Sequence, residues 1–570
     1  MFEFKIIRNP KGGIERIETS LTGYDLLDSA KLNKGCAFTC EEREQFKLTG
    51  LLPNQTETLD QQVKRMYEQY SEHKSSLGKN IYLNVLHDYN ETLFYKLVNQ
   101  HIEEMLPIIY TPTVGEAVER FSLELRKPHG LYISYPQVDK IADILNYRLP
   151  PEIDLIVVTD GEAILGIGDQ GIGGINISSA KLMVYTLAGM INPHRVLPIQ
   201  LDVGTNNQVL LNEPMYIGWR HERITGQAYD DFIAAFVAAV TKKFPNVLLH
   251  WEDFGRDNAR RILNQYRDKI LTFNGDIQGT AVVTASCVVA GAKASGTPLK
   301  DHRIVIFGAG TAGVGIADQL VEVVRREGLS EAEARARFWL IDKSGLLTDS
   351  SPNILPFQKP FVRKSGEVTS WKLNNPATID LLDVVRNIQP TILIGCSAVG
   401  GAFSQEILQT MAKQTARPII LPLSNPTQKA EATPEDILKW TNAKAIIATG
   451  SPFPNVNFEG RQIRIAQSNN AFAFPGIGLG AIAVKAKRLS DDMIWAAIQA
   501  LSMQSPVHQD ATAPLLPRIS EMSTISKHIA KAVGEQARKE GLAQIDSQVT
   551  VDQAIENIIW EPKYYPYKKV

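Results

Sequence analysis

Apolar residues in the first hundred positions recur with the period of an α-helix. The segment at 58–73 carries one apolar stripe, and the segment at 90–106 repeats the pattern with Asn90 as a candidate N-cap. Pro107 follows directly and predicts that this second helix ends there. The stripe of the first segment consists of Leu59, Val63, Met66 and Tyr67. This part of the chain is therefore predicted to be helical.

From about residue 155 the pattern changes to short apolar runs that alternate with helical segments. Such alternation predicts parallel sheets with helices on their faces. The first series of runs is LIVVTD, AILGIG and RVLPIQLDVG. A second series begins near residue 280 and consists of RIVIFGAG, FWLIDKSG, TILIGCSA, PIILPLSNP and AKAIIATGS. We interpret the second series as one Rossmann-type sheet, in which the carboxyl ends of the strands form the ligand crevice.

Size and composition limit the possible classes of protein. A chain of 570 residues is too long for one core and predicts two to four domains. A net charge of −2 gives no reason to expect nucleic acid or a membrane surface as a partner. No apolar run reaches the ~20 residues of a membrane span, and the first residues lack the apolar region of a secretory signal. Four scattered cysteines predict no disulfide framework, so we expect a cytoplasmic protein.

Two short polar islands place three carboxylates next to apolar runs. Glu252 and Asp253 follow the run at 247–249, and Asp276 follows the run at 270–273. Carboxylates at strand ends are hard oxygen ligands, which suit Mg²⁺ or Mn²⁺ rather than zinc. The alternative interpretation is that two surface turns happen to be acidic. The nucleotide-binding motif about 30 residues further on favours a metal site.

That motif consists of Gly308, Gly310 and Gly313, which follow the run RIVIF and open a helical segment. In this context backbone N–H groups and the helix N-terminus face a pyrophosphate, which predicts a dinucleotide site. Asp342 ends the next run, where it can accept hydrogen bonds from the adenine ribose hydroxyls. A hard metal beside a nicotinamide site suggests oxidation of a hydroxy acid, with or without loss of CO₂.

A second glycine motif, at Gly166, Gly168 and Gly171, lacks this context. No helix is predicted directly behind it, because two further glycines and an asparagine intervene. We therefore interpret this motif as a close-packed loop near the active centre rather than a second dinucleotide site.

Four other polar residues have both a structural and a functional interpretation. Lys181 lies near the start of an apolar helix with Ser178 as its candidate N-cap. It could extend to water or, with a depressed pKa near a cation, act as a base. Tyr110 is either a core tyrosine or a catalytic phenol. Asn425 and Asn470 follow apolar runs and are either turn residues or ligand contacts.

Together these segments resemble the malic enzyme family over nearly the whole chain. The joint match is more specific than any single motif, and the chain is most similar to bacterial NAD-dependent malic enzymes. Malolactic enzymes resemble parts of it, notably LHWEDFGR. The matching segments, in the family's order, are NKGCAF, LTGLLP, NETLFYKL, YTPTVG, VVTDGEAILGIGDQGIGG, LDVGTNNQ, HWEDFGRDNA, FNGDIQGT, FGAGTAGVGIA, LSNPT and NNAFAFPGIGLG.

The resemblance implies NAD-dependent oxidative decarboxylation of L-malate to pyruvate with Mn²⁺ or Mg²⁺. Glu252, Asp253 and Asp276 match the family's metal ligands. Tyr110 and Lys181 match its general acid and general base. The remaining matches are the substrate-binding residues Asn425 and Asn470 and the cofactor-binding residues Gly308, Gly310, Gly313, Asp342, Gln358 and Asn469.

The resemblance also bears on the choice of cofactor. In the family a glutamine at the position of Gln358 accompanies NAD preference, whereas a lysine accompanies NADP. Asp342 favours NAD as well, because a carboxylate repels a 2′-phosphate. Lys343 and Lys359 are neighbouring cations that would act in the opposite direction.

Two positions depart from the family's pattern. The usual arginine before ILG is Ala163, and the first aspartate of FNDDIQGT is Gly275. We expect weaker malate binding and a displaced pH optimum, which Ala163→Arg and Gly275→Asp respectively should correct. Malolactic enzymes also lack the arginine. Two alternatives therefore stay open: malolactic activity, and a weakly catalytic regulatory protein that binds NAD and a dicarboxylate.

The predicted fold class is α/β, with a Rossmann-type NAD-binding domain, an α/β catalytic domain and a helical N-terminal region. The expected bounds are 1–128 for the N-terminal region, 129–276 for the malic enzyme catalytic domain, 277–469 for the NAD-binding domain and 541–570 for the tail. The helical segments of 470–540 are expected to pack back on the catalytic domain. The aromatic and basic tail could lie on a neighbouring subunit or on its own chain. The resemblance implies a homodimer or homotetramer, and the net charge and the lack of a long apolar run predict neither nucleic acid nor membrane as a partner.

Overall fold

A computed structural model describes residues 4–9, 12–147, 152–375 and 378–570. Its N-terminal region begins with an antiparallel hairpin of β1 (Phe4–Arg8) and β2 (Ile14–Thr19). Helices follow: α1 (Tyr24–Leu27), α2 (Cys40–Gln45), α3 (Leu59–Glu72), α4 (Ser76–Tyr89), α5 (Glu91–Gln100), α6 (Ile102–Ile109), α7 (Thr113–Glu119) and α8 (Phe121–Glu124). The prediction of helices in this region is confirmed.

One predicted helix end in this region is wrong. Asn90 caps α5 as predicted, since its side chain accepts a hydrogen bond from Leu93 N–H at 2.9 Å. The chain then breaks at His101, whereas α6 continues through Pro107 to its end at Ile109. A proline within a helix costs about 3 kcal/mol. Burial of the apolar face of α6 offsets that cost, and this face consists of Met105, Leu106 and Ile109.

A buried pair at the start of α5 gives this region a measurable response to acid. His194 Nε2 lies 3.3 Å from Glu91 Oε2. Burial alone would raise the pKa of Glu91, but the contact with His194 outweighs burial and lowers the pKa from 4.5 to about 2. Because the folded pKa is the lower one, ionised Glu91 stabilises the fold above about pH 4.5, and this contribution is lost as the pH falls towards 2.

We therefore expect Glu91→Gln to weaken the acid sensitivity of the fold. Between pH 7 and pH 3 the wild-type chain should lose about 2 kcal/mol more unfolding free energy than the variant. Urea unfolding at the two pH values measures this difference. Glu119→Gln, which removes an exposed carboxylate from α7, is the control. Equal losses in Glu91→Gln and wild type would contradict the role of the pair.

The first large sheet is wholly parallel, with strand order β3-β5-β4-β6-β7. Every residue of its central strand β4 is buried, which explains the continuous apolar run in the sequence. Its elements are β3 (Leu131–Ser134), α9 (Ile141–Ile144), β4 (Leu155–Thr159), α10 (Ile175–Gly189), β5 (Val196–Asp202), α11 (Gln208–Asn212), α12 (Gly226–Lys243), β6 (Leu248–Trp251), α13 (Arg256–Tyr266) and β7 (Thr272–Asn274). The carboxyl ends of β4, β6 and β7 thus lie at one edge.

A long apolar helix connects this sheet to the second one. A π-helical turn at Gly275–Gly279 leads into α14 (Thr280–Ser295). Among the described residues, this stretch alone has the length and apolar composition of a membrane span. Most of it is buried inside the protein and it packs against the helices on either side, as a core helix does.

The second sheet has the strand order β10-β9-β8-β11-β12-β13-β16, with only β10 antiparallel to its neighbour. The five runs predicted to form a Rossmann-type sheet are its adjacent strands, so that prediction is confirmed. Its elements are β8 (Ile304–Phe307), α15 (Thr311–Arg325), α16 (Glu331–Arg335), β9 (Phe338–Asp342), β10 (Gly345–Leu346), α17 (Leu381–Ile388), β11 (Ile392–Gly395), α18 (Gln405–Gln414), β12 (Ile419–Pro422), α19 (Pro434–Thr441), β13 (Ile446–Thr449), the hairpin β14 (Val456–Phe458) and β15 (Arg461–Ile463), and β16 (Ala466–Gln467).

The C-terminal segments return to the rest of the chain. They are α20 (Phe474–Ala483), α21 (Asp491–Met503), α22 (Met522–Lys539), α23 (Val551–Glu556) and β17 (Tyr567–Lys569). Helix α20 is buried throughout and packs between α10 and α22. Strand β17 pairs in parallel with β2, and the Lys34 ammonium lies 3.8 Å from the centre of the Tyr567 ring. Of the two alternatives for the tail, packing on its own chain is therefore the one observed.

Candidate functional site

Three carboxylates meet at the carboxyl edge of the first sheet. Glu252 and Asp253 follow β6, and Asp276 lies on the π-helical turn after β7. One ligand oxygen from each lies within 4.8 Å of the other two. Asp276 Oδ2 also accepts a hydrogen bond from Asp253 N–H at 2.8 Å. Adjacent parallel strands therefore bring together residues that are 23 positions apart in sequence.

The electrostatics of this acidic cluster suit a divalent cation. Within the part of the chain that the structure describes, buried Asp253 Oδ2 has no hydrogen-bond partner. Burial and the neighbouring carboxylates raise the pKa of Asp253, and burial and Glu252 raise the pKa of Asp276 to about 7. Such shifts mean that the ionised carboxylates repel one another, and a cation would relieve that repulsion. An oxygen-only donor set fits Mg²⁺ or Mn²⁺.

Lys181 on α10 is fully buried against the acidic cluster. Its Nζ lies 2.9 Å from Glu252 Oε1 and donates to Asn470 Oδ1 at 3.2 Å. Burial alone would lower the pKa of Lys181, but the charge of Glu252, together with Tyr110 and Asp276, outweighs it and raises the pKa. Without a cation the lysine therefore lies among carboxylates that favour its charged form, and the depressed pKa expected beside a bound cation stays a prediction.

Tyr110 and Lys181 contact the same asparagine. The Tyr110 hydroxyl donates to Asn470 Oδ1 at 3.3 Å, and Lys181 Nζ lies 5.3 Å from the centre of the Tyr110 ring. Burial raises the pKa of Tyr110, although Lys181 opposes this shift. The phenol therefore keeps its proton at neutral pH. A protonated phenol and an amine thus converge on one side-chain oxygen beside the acidic cluster.

The start of α10 differs from the sequence prediction. The helix begins at Ile175, directly after a 3₁₀ turn at Gly171–Gly174, so Ser178 is an interior residue and not the N-cap. The second glycine motif is only partly close-packed, since residues 165–168 are exposed, and a helix does begin directly behind it at the turn that starts with Gly171. The run AILGIG, predicted among the strands, forms a loop with one isolated bridge between Ile164 and Gly168. A Cβ atom on Gly171 would lie 2.2 Å from the Tyr216 hydroxyl, and one on Gly166 would lie 3.1 Å from the Asn425 carbonyl oxygen.

Sequence reasoning missed His250, which is fully buried at the end of β6. His250 Nε2 lies 2.7 Å from Glu252 Oε2, and His250 Nδ1 lies 2.7 Å from the Tyr185 hydroxyl. Burial lowers the pKa of His250, so the imidazole is neutral. The spacing between His250 and Glu252 could have indicated this contact, because residues two apart on a strand project from the same face.

The space around Gly275 bears on the expected effect of Gly275→Asp. A Cβ atom at this position would lie 1.9 Å from Glu252 Oε2 and 2.5 Å from His250 Nε2. An aspartate here therefore has no room unless both side chains move. Gly275→Asp is accordingly not a simple restoration of a carboxylate. Ala163 nearby contributes its backbone N–H to the Asp253 carbonyl oxygen at 3.0 Å, and its methyl group offers no charge.

Asn425, Asn470 and Asn469 follow the strands of the second sheet. Asn425 lies after β12 and its Oδ1 accepts from Ser451 Oγ at 2.6 Å. Asn470 lies after β16 and contacts Lys181 and Tyr110 as described above. The Asn469 side chain accepts from Ala471 N–H at 2.9 Å, so in this structure it caps the short turn that carries Asn470.

The glycine motif after β8 has the shape that a dinucleotide requires. Gly308 has a φ of 110°, and a Cβ atom there would lie 2.4 Å from the Cys396 carbonyl carbon. A Cβ atom on Gly313 would lie 2.0 Å from the Gly308 carbonyl oxygen. At Gly310 a Cβ atom would meet none of the described residues within 4 Å. The open side of the turn therefore leaves room for a pyrophosphate at the N-terminus of α15.

Gln358 joins Asp342 to this glycine turn. Its Nε2 donates to Asp342 Oδ2 at 2.7 Å and to the Ala309 carbonyl oxygen at 2.8 Å, while its Oε1 accepts from Leu355 N–H at 3.0 Å. Gln358 is buried, with 2% of its surface exposed. It therefore orients Asp342 from behind. The sequence does not reveal this contact, because Gln358 lies 16 residues beyond Asp342 in an irregular segment.

Comparison with known protein families gives two matches that together cover most of the chain. Residues 87–267 match the model described as malic enzyme, N-terminal domain. Residues 277–538 match the model described as malic enzyme, NAD binding domain.

Individual relatives agree with these matches. The chain is 51% identical to NAD-dependent malic enzyme 3 of Bacillus subtilis (strain 168) over 97% of its own length and 98% of the relative's. It is 50% identical to the NAD-dependent malic enzyme of Photorhabdus laumondii over 96% of its own length and 97% of the relative's.

Among solved structures, the malic enzyme of Entamoeba histolytica matches with a TM-score of 0.54 at 21% identity, over 90% of each chain. The malic enzyme of Pyrococcus horikoshii Ot3 matches with a TM-score of 0.54 at 22% identity, over 80% of this chain and 88% of that one. These two similarities support the fold alone. The fold and the acidic and glycine-rich sites agree with the two family models and with the relatives at about 50% identity. The chain therefore belongs to the malic enzyme family.

Proposed function

We propose that this protein is an NAD-dependent malic enzyme, which converts L-malate and NAD⁺ to pyruvate, CO₂ and NADH with Mn²⁺ or Mg²⁺. One observation carries the proposal: Lys181 and Tyr110 share the Asn470 oxygen beside three carboxylates. Malate-dependent formation of NADH, with and without a chelator, tests it. No other arrangement that we find in the described residues combines a candidate base, a candidate acid and a hard-metal site.

Glu252, Asp253 and Asp276 would hold the cation. A divalent cation bound there supplies Lewis-acid stabilisation of developing negative charge on the substrate. Lys181 needs to be uncharged to accept the proton of the malate hydroxyl. The carboxylates that keep Lys181 protonated are the same ones that would bind the cation, so metal binding and deprotonation of Lys181 are coupled. Tyr110, which keeps its proton, would then protonate C3 after CO₂ has left, which gives pyruvate.

The other proposed contacts surround this centre. Asn425 and Asn470 would bind the substrate, and both side chains present an amide group at strand ends. Gly308, Gly310 and Gly313 would hold the pyrophosphate, while Asn469 would act through the turn that it caps. The domain bounds at 128, 276 and 469 stay part of the proposal. The strands of the first large sheet fall within 131–274 and those of the second within 304–467, which supports these bounds.

Malolactic activity is the second candidate. Ala163 favours it, because the loop beside Asp253 presents only a methyl group where malic enzymes usually place an arginine. An arginine would bind a carboxylate through two parallel hydrogen bonds, which alanine cannot form. A malolactic enzyme would form lactate and keep NAD(H) bound. The two candidates therefore differ in both the carbon product and the release of NADH.

Cofactor choice gives a specific prediction at Gln358. Asp342 disfavours a 2′-phosphate, so wild type should have the higher kcat/KM with NAD⁺. In Gln358→Lys the ammonium would lie against Asp342 and neutralise it. We expect the ratio of kcat/KM values for NAD⁺ and NADP⁺ to fall by about tenfold or more, which corresponds to about 1.4 kcal/mol. Steady-state kinetics with both cofactors measures the ratio. Gln358→Met, which has similar volume and no charge, is the control, and an equal fall there would contradict the charge argument.

We also propose a homodimer or homotetramer in the cytoplasm. Val85 and Tyr89 lie one turn apart on α4 and are 49% and 55% exposed. Exposed apolar side chains that adjoin on one helix favour contact with a second subunit. The four cysteines are free thiols, which supports a reducing compartment.

We expect a symmetric oligomer by light scattering at micromolar concentration. Tyr89→Asp should raise the dissociation constant of the oligomer by about tenfold or more, because a charge would be buried in the contact between subunits. Met503→Asp, a change of an exposed apolar residue at the end of α21, should leave the oligomer intact. A monomeric wild-type protein would show the proposal to be wrong.

A further inference from the structure

A buried chain of hydrogen bonds ends on the acidic cluster and has no role in the reaction proposed above. The Tyr185 hydroxyl lies 2.7 Å from His250 Nδ1, and His250 Nε2 lies 2.7 Å from Glu252 Oε2. Tyr185 and His250 are fully buried, and Glu252 is 3% exposed. Tyr185 lies on α10 one turn after Lys181, so one helix contacts Glu252 Oε1 directly and Glu252 Oε2 through His250.

The chemistry of these groups fixes the direction of each hydrogen bond. Glu252 is ionised beside Lys181 and can only accept, so His250 Nε2 must carry the hydrogen that points at Glu252 Oε2. A neutral imidazole has a single N–H, which leaves His250 Nδ1 as the acceptor for the Tyr185 hydroxyl. Tyr185 therefore fixes the tautomer through which His250 holds the carboxylate.

Each carboxylate oxygen of Glu252 thus has its own hydrogen-bond partner. Lys181 Nζ lies 2.9 Å from Oε1 and His250 Nε2 lies 2.7 Å from Oε2. Hydrogen-bonded partners behind a metal ligand orient the ligand in advance, and their loss usually costs 10- to 100-fold in metal affinity or activity. His250 is placed to provide such an effect without touching either the cation or the substrate.

Gly275 supplies the space for this contact. Its φ is not positive, so its backbone conformation does not require glycine. The restriction is steric, because a Cβ atom would lie 1.9 Å from Glu252 Oε2 and 2.5 Å from His250 Nε2. A Cβ atom at position 275 would therefore force the ends of the Glu252 and His250 side chains to shift from the positions in which they contact each other.

We propose that Tyr185, His250 and Gly275 are positioning residues that hold Glu252 in the orientation required for metal binding. Tyr185 sets the tautomer of His250, His250 holds Glu252 Oε2, and Gly275 leaves the space in which the two side chains meet. This inference rests on the proposed function, because it assigns significance to Glu252 as a metal ligand.

The first test measures Mn²⁺ affinity by titration calorimetry on the full-length protein. His250→Leu removes the donor, whereas His250→Gln keeps an N–H group that can reach Glu252. We expect the Kd for Mn²⁺ to rise about tenfold or more in His250→Leu and to stay within about threefold of wild type in His250→Gln. Tyr185→Phe should fall between them. In kinetic assays, excess Mn²⁺ should restore kcat in His250→Leu, which a merely structural defect would not allow.

His302→Leu is the matched control for removing a buried histidine. His302 is 1% exposed and its Nδ1 lies 2.8 Å from Thr391 Oγ1. It precedes β8, at the end of the second sheet opposite to the nucleotide crevice. His302→Leu should leave Mn²⁺ affinity unchanged. An equal loss of affinity in His250→Leu and His302→Leu would mean that Mn²⁺ binding reports general stability, and the proposed role would be overturned.

Gly275→Ala tests the same contact from the other side and does not depend on whether His250→Leu folds. It should weaken Mn²⁺ binding about tenfold. If wild type, Gly275→Ala and His250→Leu all bind Mn²⁺ with the same affinity, the positioning role alone is overturned. Wild type that binds no Mn²⁺ overturns the proposed function together with this inference.

Discussion

Asp276→Ala should abolish metal-dependent turnover, with kcat reduced by about 10³-fold or more, because Lewis-acid stabilisation is worth several kcal/mol. The change removes one of three oxygen ligands from a cluster whose ligand atoms lie within 4.8 Å of one another. NAD⁺ binding should survive, since the glycine motif lies after β8 in the other sheet. Asp257→Ala, an exposed carboxylate on α13, is the control and should retain activity.

Two measurements accompany this variant. Steady-state turnover with Mn²⁺ gives the loss of kcat, and NAD⁺ titration followed by protein fluorescence gives cofactor affinity. Wild type treated with a chelator should lose activity and regain it with Mn²⁺ or Mg²⁺. Full activity of the metal-free protein, or of Asp276→Ala, would show that the acidic cluster does not hold a catalytic cation.

Lys181→Met should have the second largest effect. General acid–base groups contribute about 10²- to 10⁴-fold to turnover, so we expect kcat to fall by about 10³-fold. Mn²⁺ affinity should be kept, because loss of the competing ammonium 2.9 Å from Glu252 Oε1 offsets loss of its hydrogen bond, while His250 still holds Oε2. NAD⁺ affinity should be unchanged. This combination separates loss of the base from damage to the acidic cluster.

Lys293→Met is the control for Lys181→Met, since Lys293 is an exposed lysine near the end of α14. Steady-state kinetics and Mn²⁺ titration on both variants complete the comparison. Activity of Lys181→Met within tenfold of wild type would remove Lys181 from the proposed mechanism. A parallel loss of Mn²⁺ binding would instead assign it a structural role.

Much of the fold follows from local pattern. The apolar runs of both parallel sheets are predictable because strands covered on both faces carry continuous apolar residues. Helix ends are less predictable. Pro107 continues a helix because burial of one face outweighs the proline penalty, and Ser178 is interior because a turn of glycines starts the helix earlier. Both outcomes depend on tertiary packing, which a sequence window does not contain.

The candidate site divides in the same way. Glu252 and Asp253 are adjacent in sequence and follow a strand, so pattern and family resemblance were sufficient to find them. The contact between Tyr185 and His250 joins residues 65 positions apart, and the role of Gly275 is visible only as missing space. The pKa of Lys181 also required coordinates, because its direction depends on how many carboxylates surround the ammonium. Contacts between residues far apart in sequence, and the pKa shifts that depend on them, could thus not be predicted for this site.

Product analysis with L-malate, NAD⁺ and Mn²⁺ tests the central claim most directly. Chromatography of the carbon products and absorbance of free NADH should be followed in the same reaction. The account predicts pyruvate and NADH in equal amounts, both dependent on the metal. Lactate without release of NADH would contradict it and assign the protein to malolactic activity, and no product from malate would leave only a binding protein.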